Sequence, residues 1–344
     1  MILIIAEKNL AGERIAQILG GKTMRLQTKG FAKYYSFTRN NEEFVCLPLR
    51  GHIVEVDFPK QYASWQGTDL QTLVDAPILY VPNDPAIANL LREMGKSANK
   101  VIIATDADRE GESIGVEALR ILQETNPSVP TARAYFSAMT PKELVKSFDE
   151  LVKVDHNLSD SADSRREIDL VWGAALTRFV SIMSSRMGKE FISVGRVQTP
   201  VLALIVNREK ERLAFVMQPY WEIIAECEKS AQKFEANHKE GKIFDEMKAK
   251  TIFEKVKDAK TGKVVKVITK KKSIARPIPF DTTQLLRSAS ALGFTAGQAM
   301  NVAESLYMAG FISYPRTDNT VYPDTLDLRE LLTELGNFSA YKKF

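Results

Sequence analysis

Cysteine is nearly missing from this 344-residue sequence: only Cys46 and Cys227 occur, and they lack any paired spacing. That removes a disulfide framework and a cysteine-ligated zinc site as organising devices. Long apolar runs are missing too. No stretch reaches the roughly 18 apolar residues of a membrane span. The start, MILIIAEKNLAGERIAQIL, places Glu7 where a secretory signal would continue its apolar core. A cytoplasmic protein with no membrane partner is therefore expected. A complete phosphate loop is also absent. GGKT at residues 20–23 has the ending of one, but the first glycine would fall at position 16, which is Ala16. The tetrapeptide also closes a helix pattern instead of joining strand to helix, so no nucleotide triphosphate site and no use of ATP is expected.

What is present is enough for real cores. The chain is 44% hydrophobic and 26% charged, and its length fits two to three domains. The net charge of +4 conceals an uneven distribution: Lys229 to Arg276 holds 15 Lys and Arg against 6 Asp and Glu, so this segment nets +9 and the rest −5. Such a segment suits either a polyanion backbone or a solvated lysine-rich surface.

Two strand–loop–helix units recur. Residues 2–5 form an apolar run, followed by Glu7 and a helix-period pattern through Ile15, Ile18 and Leu19. The stretch NKVIIATDADREGESIGVEALRILQE repeats the arrangement, with a buried strand at 101–104 and Ile114, Leu119 and Leu122 on one side of its helix. Strands alternating with helices imply a parallel sheet covered on both faces. Ligands then sit beyond the carboxyl ends of the strands, where Glu7, Asp106, Asp108 and Glu110 all fall. Read as an extended stretch, Asp106, Asp108 and Glu110 point to one side and Arg109 away. Carboxylates so close repel without a cation among them, and an oxygen-only set favours magnesium. Capping of a helix start is the plainer explanation for such acids.

Residues 151–212 read as helical. Ile168, Val171, Ala175 and Phe179 make an apolar stripe, and Arg165, Asp169 and Trp172 another. The second is either a surface ion pair or a place to hold a phosphate and stack a base. SVGRVQTP then carries Arg196 and Gln198 before a helix near Val201, either an ordinary turn or a phosphate-binding helix start. From 213 to 278, patterns such as KVVKVITKKK read as strands. After the linker ARPIPF, helices start at Asp281–Thr283 and Thr295 and stop at Gly293 and Gly310, with a strand after the second. Helix, turn, helix, strand is a winged-helix pattern. Tyr314 lies on that last strand. Arg316, two residues on, projects to the same side as a fixed cation able to hold a phosphate beside an attacking hydroxyl.

IIAEK, IIATDADREGE, SVGRVQTP and GFISYPRTDNT, in this order and at these separations, resemble the type IA DNA topoisomerases, most closely the archaeal ones, over the whole length. The resemblance implies an α/β and α+β multidomain protein. It would comprise a Toprim domain (residues 1–150), a helical domain (151–212), a basic β-rich arch segment (213–278) and a winged-helix domain carrying the tyrosine (279–344). It implies transient cleavage of one strand by Tyr314, through a 5′-phosphotyrosyl link, on single-stranded or underwound DNA in the nucleoid. Arg316 would position the scissile phosphate, Lys8 would assist proton transfer, and Glu7 would act as proton donor or metal ligand. Asp106, Asp108 and Glu110 would bind Mg2+. His52, Arg165, Arg166, Asp169 and the loop Ser193, Val194, Gly195, Arg196, Val197 and Gln198 would contact DNA. Family members continue well beyond the tyrosine, so an amino-terminal portion is expected. Two other readings use fewer of these residues: a Toprim-type magnesium nuclease or primase-like enzyme with a structural Tyr314, and a single-stranded DNA-binding fragment without turnover.

Overall fold

The apolar run at the start of the chain forms strand β1 (Ile2–Ala6), and the helix-period pattern after it forms α1 (Asn9–Gly20). In this computed structural model, which describes residues 1–322 and 328–341, an antiparallel meander follows. Its strands are β2 (Arg25–Lys29), β3 (Ala32–Arg39) and β4 (Glu42–Pro48). The antiparallel pair β5 (Val54–Asp57) and β6 (Leu79–Pro82) precedes α2 (Pro85–Ser97). The second strand–helix unit is β7 (Lys100–Ala104) and α3 (Arg109–Gln123). Then come β8 (Thr131–Arg133), α4 (Pro141–Asp149) and the long α5 (His156–Met183).

Six strands make one sheet in the order β2-β3-β4-β1-β7-β8, with β4, β1, β7 and β8 parallel. Side chains alternate across a strand, so β1 feeds two cores. Leu3 and Ile5 pack with Ile87 and Leu91 of α2 and Leu119 and Leu122 of α3. Ile4 and Ala6 pack with Ile15 of α1, Phe148 of α4 and Tyr307 from much later in the chain. The parallel strands are thus covered on both faces, as the paired apolar runs required.

The helix α5 departs from expectation. Ile168 and Phe179 of its apolar stripe are exposed, and the buried side carries Ser159, Ala162, Asp163, Thr177, Arg178 and Ser181. Polar pairing makes that side the inner one. Asp163 accepts from Ser113 Oγ at 2.9 Å and from Arg120 at 3.1 Å, and Arg178 donates to the Tyr62 carbonyl at 2.7 Å.

A second unit spans Val197–Arg276. It comprises α6 (Gln198–Ala214), the hairpin of β9 (Ile224–Lys229) and β10 (Gln232–Asn237), and α7 (Glu246–Val256), a helix the sequence reading did not anticipate. The expected strand at KVVKVITKKK does not form, and residues 263–272 run without helix or strand. Among the described residues no strand lies alongside to take its hydrogen bonds.

From Pro277 the chain belongs again to the first unit, with α8 (Thr282–Ala291), α9 (Ala296–Met308) and α10 (Leu328–Gly336). The helix signals fall where they were read. Asp281 caps α8 by accepting from the Gln284 amide, and Thr295 and Gln298 close a capping box on α9. Gly310 follows α9 at φ +80°, a conformation that favours glycine. The strand expected at Tyr314 is only an isolated bridge between Ser313 and Ala138. Pro315, without an amide hydrogen, removes the next donor of a ladder. Residues 323–327 and 342–344 of the region expected to be winged lie outside the described residues. No helix among the described residues is long and apolar enough to cross a membrane.

Candidate active site

The register of the sheet builds the site. Ala6 on β1 lies opposite Ala104 on β7, so both strands end level and Glu7 and Asp106 emerge side by side. The Asp106 amide donates to Glu7 Oε2 at 3.2 Å. Lys8 Nζ stands 3.3 Å from Glu7, 3.5 Å from Asp106 and 2.5 Å from Glu304 Oε1 on α9. Burial, and then the neighbouring charge of Glu7, pushes the Asp106 carboxyl up to about 7. Burial alone would lower the Lys8 pKa. The Glu304 hydrogen bond and the charges of Glu7 and Asp106 outweigh it, and Lys8 is held firmly as a cation.

The acidic motif is not the extended stretch expected. The chain turns into α3 at Asp108, whose Oδ1 accepts from the Gly111 amide at 2.7 Å as a helix cap. Helical geometry then carries Glu110 aside, to 3.5 Å from Arg165 and 3.3 Å from His52 Nε2. Gly111 permits the tight turn, because a Cβ there would stand 2.2 Å from the Asp106 carbonyl oxygen. Among the described residues, no three His, Cys, Asp or Glu side chains form a group that could hold a metal ion. The donor chemistry of the acids nevertheless suits a hard cation. Their donors are all oxygen, and magnesium commonly takes one or two carboxylates with water and phosphate oxygens.

Arg133, at the end of β8 and 1% exposed, fixes the acidic loop from behind. Its guanidinium donates to Glu112 at 2.8 Å, to the Thr105 carbonyl at 3.0 Å and to the Asp106 carbonyl at 2.9 Å. Glu112 in turn accepts from the Asp155 amide at 2.8 Å, the cap of α5.

Tyr314 reaches the same place from the other end of the chain. Its amide donates to the Ser137 carbonyl at 2.8 Å, and its hydroxyl donates to Asp108 Oδ2 at 2.5 Å. Its ring meets that of Tyr307 edge-on, centroids 5.3 Å apart, while the Tyr307 hydroxyl donates to Asp106 at 3.3 Å. Burial, the Asp108 hydrogen bond and the nearby carboxylates all raise the Tyr314 pKa, so the phenol keeps its proton in this charge environment. Thr282 at the start of α8 holds the next residues: its hydroxyl donates to the carbonyls of Pro315 at 2.8 Å and Thr317 at 2.9 Å. Arg316 between them lies 3.7 Å from Glu304 Oε2. A cleft of about 970 Å³ opens here, lined by Glu7, His52, Asp108, Glu110, Arg165 and Arg316 among others.

The remaining sequence candidates divide. Arg165 reaches the cleft, whereas Arg166 turns inward to the buried Glu117 and to the Val54 carbonyl at 2.5 Å. His52 is 2.9 Å from Glu117; burial opposes its charge, but Glu117 outweighs that and raises its pKa. Arg165 and Asp169 do not pair with each other. Asp169 instead accepts two bonds from Arg196, at 2.7 and 3.1 Å, which lower its pKa and tie α5 to the SVGRVQTP loop. The Val194 amide donates to Thr177 Oγ1 at 2.9 Å. Ser193, Gly195 and Arg196 belong to the first unit, Val197 and Gln198 to the second.

Glu304, Tyr307, Arg133, Glu112 and Glu117 escaped the sequence reading. A signal existed for the first two: they stand three apart on the helix preceding Tyr314, and so on one face. Arg133 carried only the oddity of a cation inside the apolar stretch TARAYF.

Known proteins resemble this chain over nearly its whole length. The Toprim domain profile matches residues 2–139, and a profile described as DNA topoisomerase matches residues 153–344. DNA topoisomerase 1 of Thermoplasma acidophilum is 45% identical over 343 residues, covering 99% of this chain and 44% of that protein. DNA topoisomerase 1 of Archaeoglobus fulgidus is 46% identical over 335 residues, covering 97% of this chain and 49% of that protein. The solved structure of full-length topoisomerase I from Thermotoga maritima superposes with a TM-score of 0.66 at 25% identity, covering 97% of this chain and 52% of that one. The chain thus spans about half the length of these relatives. It belongs to the type IA DNA topoisomerase family.

Proposed function

We propose that this chain carries the strand-cleaving centre of an ATP-independent type IA topoisomerase, which opens one DNA strand through a 5′-phosphotyrosyl link, passes a second and reseals the first, relaxing negative supercoils. The observation that carries this reading is the Tyr314 hydroxyl, 2.5 Å from Asp108, beside a cleft that also presents Arg316 and Glu7.

The chemistry follows from those groups. The Tyr314 oxygen bonds to phosphorus as the bond from phosphorus to the 3′ oxygen breaks. The phenolic proton leaves toward Asp108, and the departing 3′ oxygen takes a proton from the Glu7–Lys8 side. Arg316 and Lys8 offset the charge that gathers on the phosphate oxygens. One phosphodiester is exchanged for another, so the link stores the bond for resealing and no nucleotide is consumed. Asp106 and Asp108, with Glu7 beside them, are the residues that would hold Mg2+, which would supply positive charge against these acids and the phosphate, and Glu110 would join them only by leaving His52 and Arg165. His52, Arg165, Asp169 and the Ser193–Gln198 loop would track the strand leading to the cut, single-stranded or underwound, in the cytoplasm. In this reading residues 1–150 are the Toprim domain, 151–212 a helical domain, 213–278 an arch segment and 279–344 the winged-helix domain.

The test is a single-stranded oligonucleotide labelled at its 3′ end, incubated with magnesium and the chain, then denatured. Label is expected on the protein, and none with Tyr314→Phe. Cleavage that survives Tyr314→Phe would assign the acids to a nuclease instead.

A further inference from the structure

Glu304 is the acid that the chemistry above does not use, and it touches both cations that the chemistry needs. It sits on α9 with its side chain 28% exposed. Oε1 is 2.5 Å from Lys8 Nζ, and Oε2 is 3.7 Å from Arg316 Nη2. Each oxygen of one carboxylate thus faces a different cation. A phosphate presents its two non-bridging oxygens in a similar way, with the same charge and a similar oxygen separation.

We propose that Glu304 occupies the seat of the scissile phosphate, holding Lys8 and Arg316 at phosphate spacing until a DNA strand displaces it. The inference rests on the reading that Tyr314 cleaves DNA, and adds a residue that sets how readily the strand enters. Without an anion, Lys8 would be left to Glu7 and Asp106, and Arg316, with its side chain 61% exposed, would have no fixed direction. With Glu304 in place the two cations are ordered in advance, and the cost is a competitor that each strand must expel. Glu304 is therefore a positioning residue, acting through Lys8 and Arg316.

The test is binding of a fluorescein-labelled single-stranded oligonucleotide by the full chain, in the Tyr314→Phe background so that no cleavage intervenes, with magnesium present and across a salt series. Glu304→Gln keeps the shape and removes the competing charge. Binding is expected to tighten about tenfold at low salt, and the slope of log K against log salt to steepen by about 0.7, one additional phosphate contact on a single strand. Glu304→Asp, which keeps the charge on a shorter arm, should restore the parent slope. A purely structural glutamate would leave the slope unmoved. Parent-like or weaker binding by Glu304→Gln in that background, while the chain that keeps Tyr314 still forms the labelled adduct, overturns the placeholder and leaves the cleavage reading standing. If the parent retains no oligonucleotide, both fall together.

Discussion

The two units of this chain use apolar residues in opposite ways. In the first, Leu3, Ile4, Ile5 and Ala6 of β1 are fully buried between helices. In the second, Leu202, Leu204, Ile205 and Leu213 of α6 are between 60 and 70% exposed, and Ile243 and Ala249 are the buried hydrophobics among its described residues. Both units form regular elements with proper ends: Asp245 caps α7 as Asp84 caps α2. Local signals therefore suffice to start and stop an element, whereas stability comes from a face that finds a partner. The charge is divided along the same line. The paired acids of the candidate site lie in the first unit, and the segment that nets +9 lies in the second. A buried acid cluster needs a rigid frame to hold like charges together, while a basic, solvated surface does not.

The largest expected effect would break that contrast at its most buried point. Glu112 and Arg133 are 2% and 1% exposed and form an ion pair at 2.8 Å. Glu112→Ala leaves Arg133 charged and uncompensated, and removing one partner of such a pair costs about 3–5 kcal/mol. Urea denaturation followed by the first unit's fluorescence should show a loss of that size. A separate binding assay should show weaker retention of the oligonucleotide, because Arg133, no longer oriented by Glu112, holds the carbonyls of Thr105 and Asp106 less firmly. A loss below 1 kcal/mol would mean that the loop is held by its neighbours alone.

The same contrast explains what the sequence revealed. The first unit was legible because β1 and β7 are apolar runs whose partners lie within the chain, and because caps such as Asp281 and Thr295 act over three residues. The level ends of β1 and β7 followed from the parallel sheet, and with them the meeting of Glu7 and Asp106. The stripe on α5 misled because Asp163 and Arg178 each find partners far away in sequence, Ser113 and Arg120 for the first and the Tyr62 carbonyl for the second, which no periodicity reports. KVVKVITKKK misled because alternation describes a strand only where another strand pairs with it. Glu304 and Tyr307 were hidden for a different reason: each sits on a helix pattern that already had an explanation, and only the docking of α9 shows them facing Lys8 and Asp106.

An intermediate effect concerns the raised acid. The folded Asp106 titrates near 7 against an ordinary value of 3.8, so the folded state holds its proton more tightly than the unfolded one. Its contribution to stability is therefore present below about pH 4 and lost as pH rises through 7. In a chelator, Asp106→Asn should stabilise the first unit at pH 8 by roughly 2 kcal/mol and flatten its stability between pH 4 and 7. Melting curves across that range measure it. An unchanged slope would show that Lys8 already neutralises Asp106 in full, and magnesium, added back to the parent, would then give no stabilisation through this carboxylate.

The smallest effect sharpens the comparison from the other side. Leu204 on α6 is 69% exposed, so Leu204→Ser removes little buried area, and surface changes of this kind stay within about 0.5 kcal/mol. The urea midpoint should hardly move, while solubility improves as an apolar patch shrinks. The equivalent change on the sheet, Leu3→Ser, would bury an unpartnered hydroxyl and unfold the first unit. If Leu204→Ser instead costs 2 kcal/mol or more, the face of α6 is covered in solution, by another copy or another segment of chain, and dilution of the protein distinguishes the two. The difference between the units would then lie in which partner is at hand.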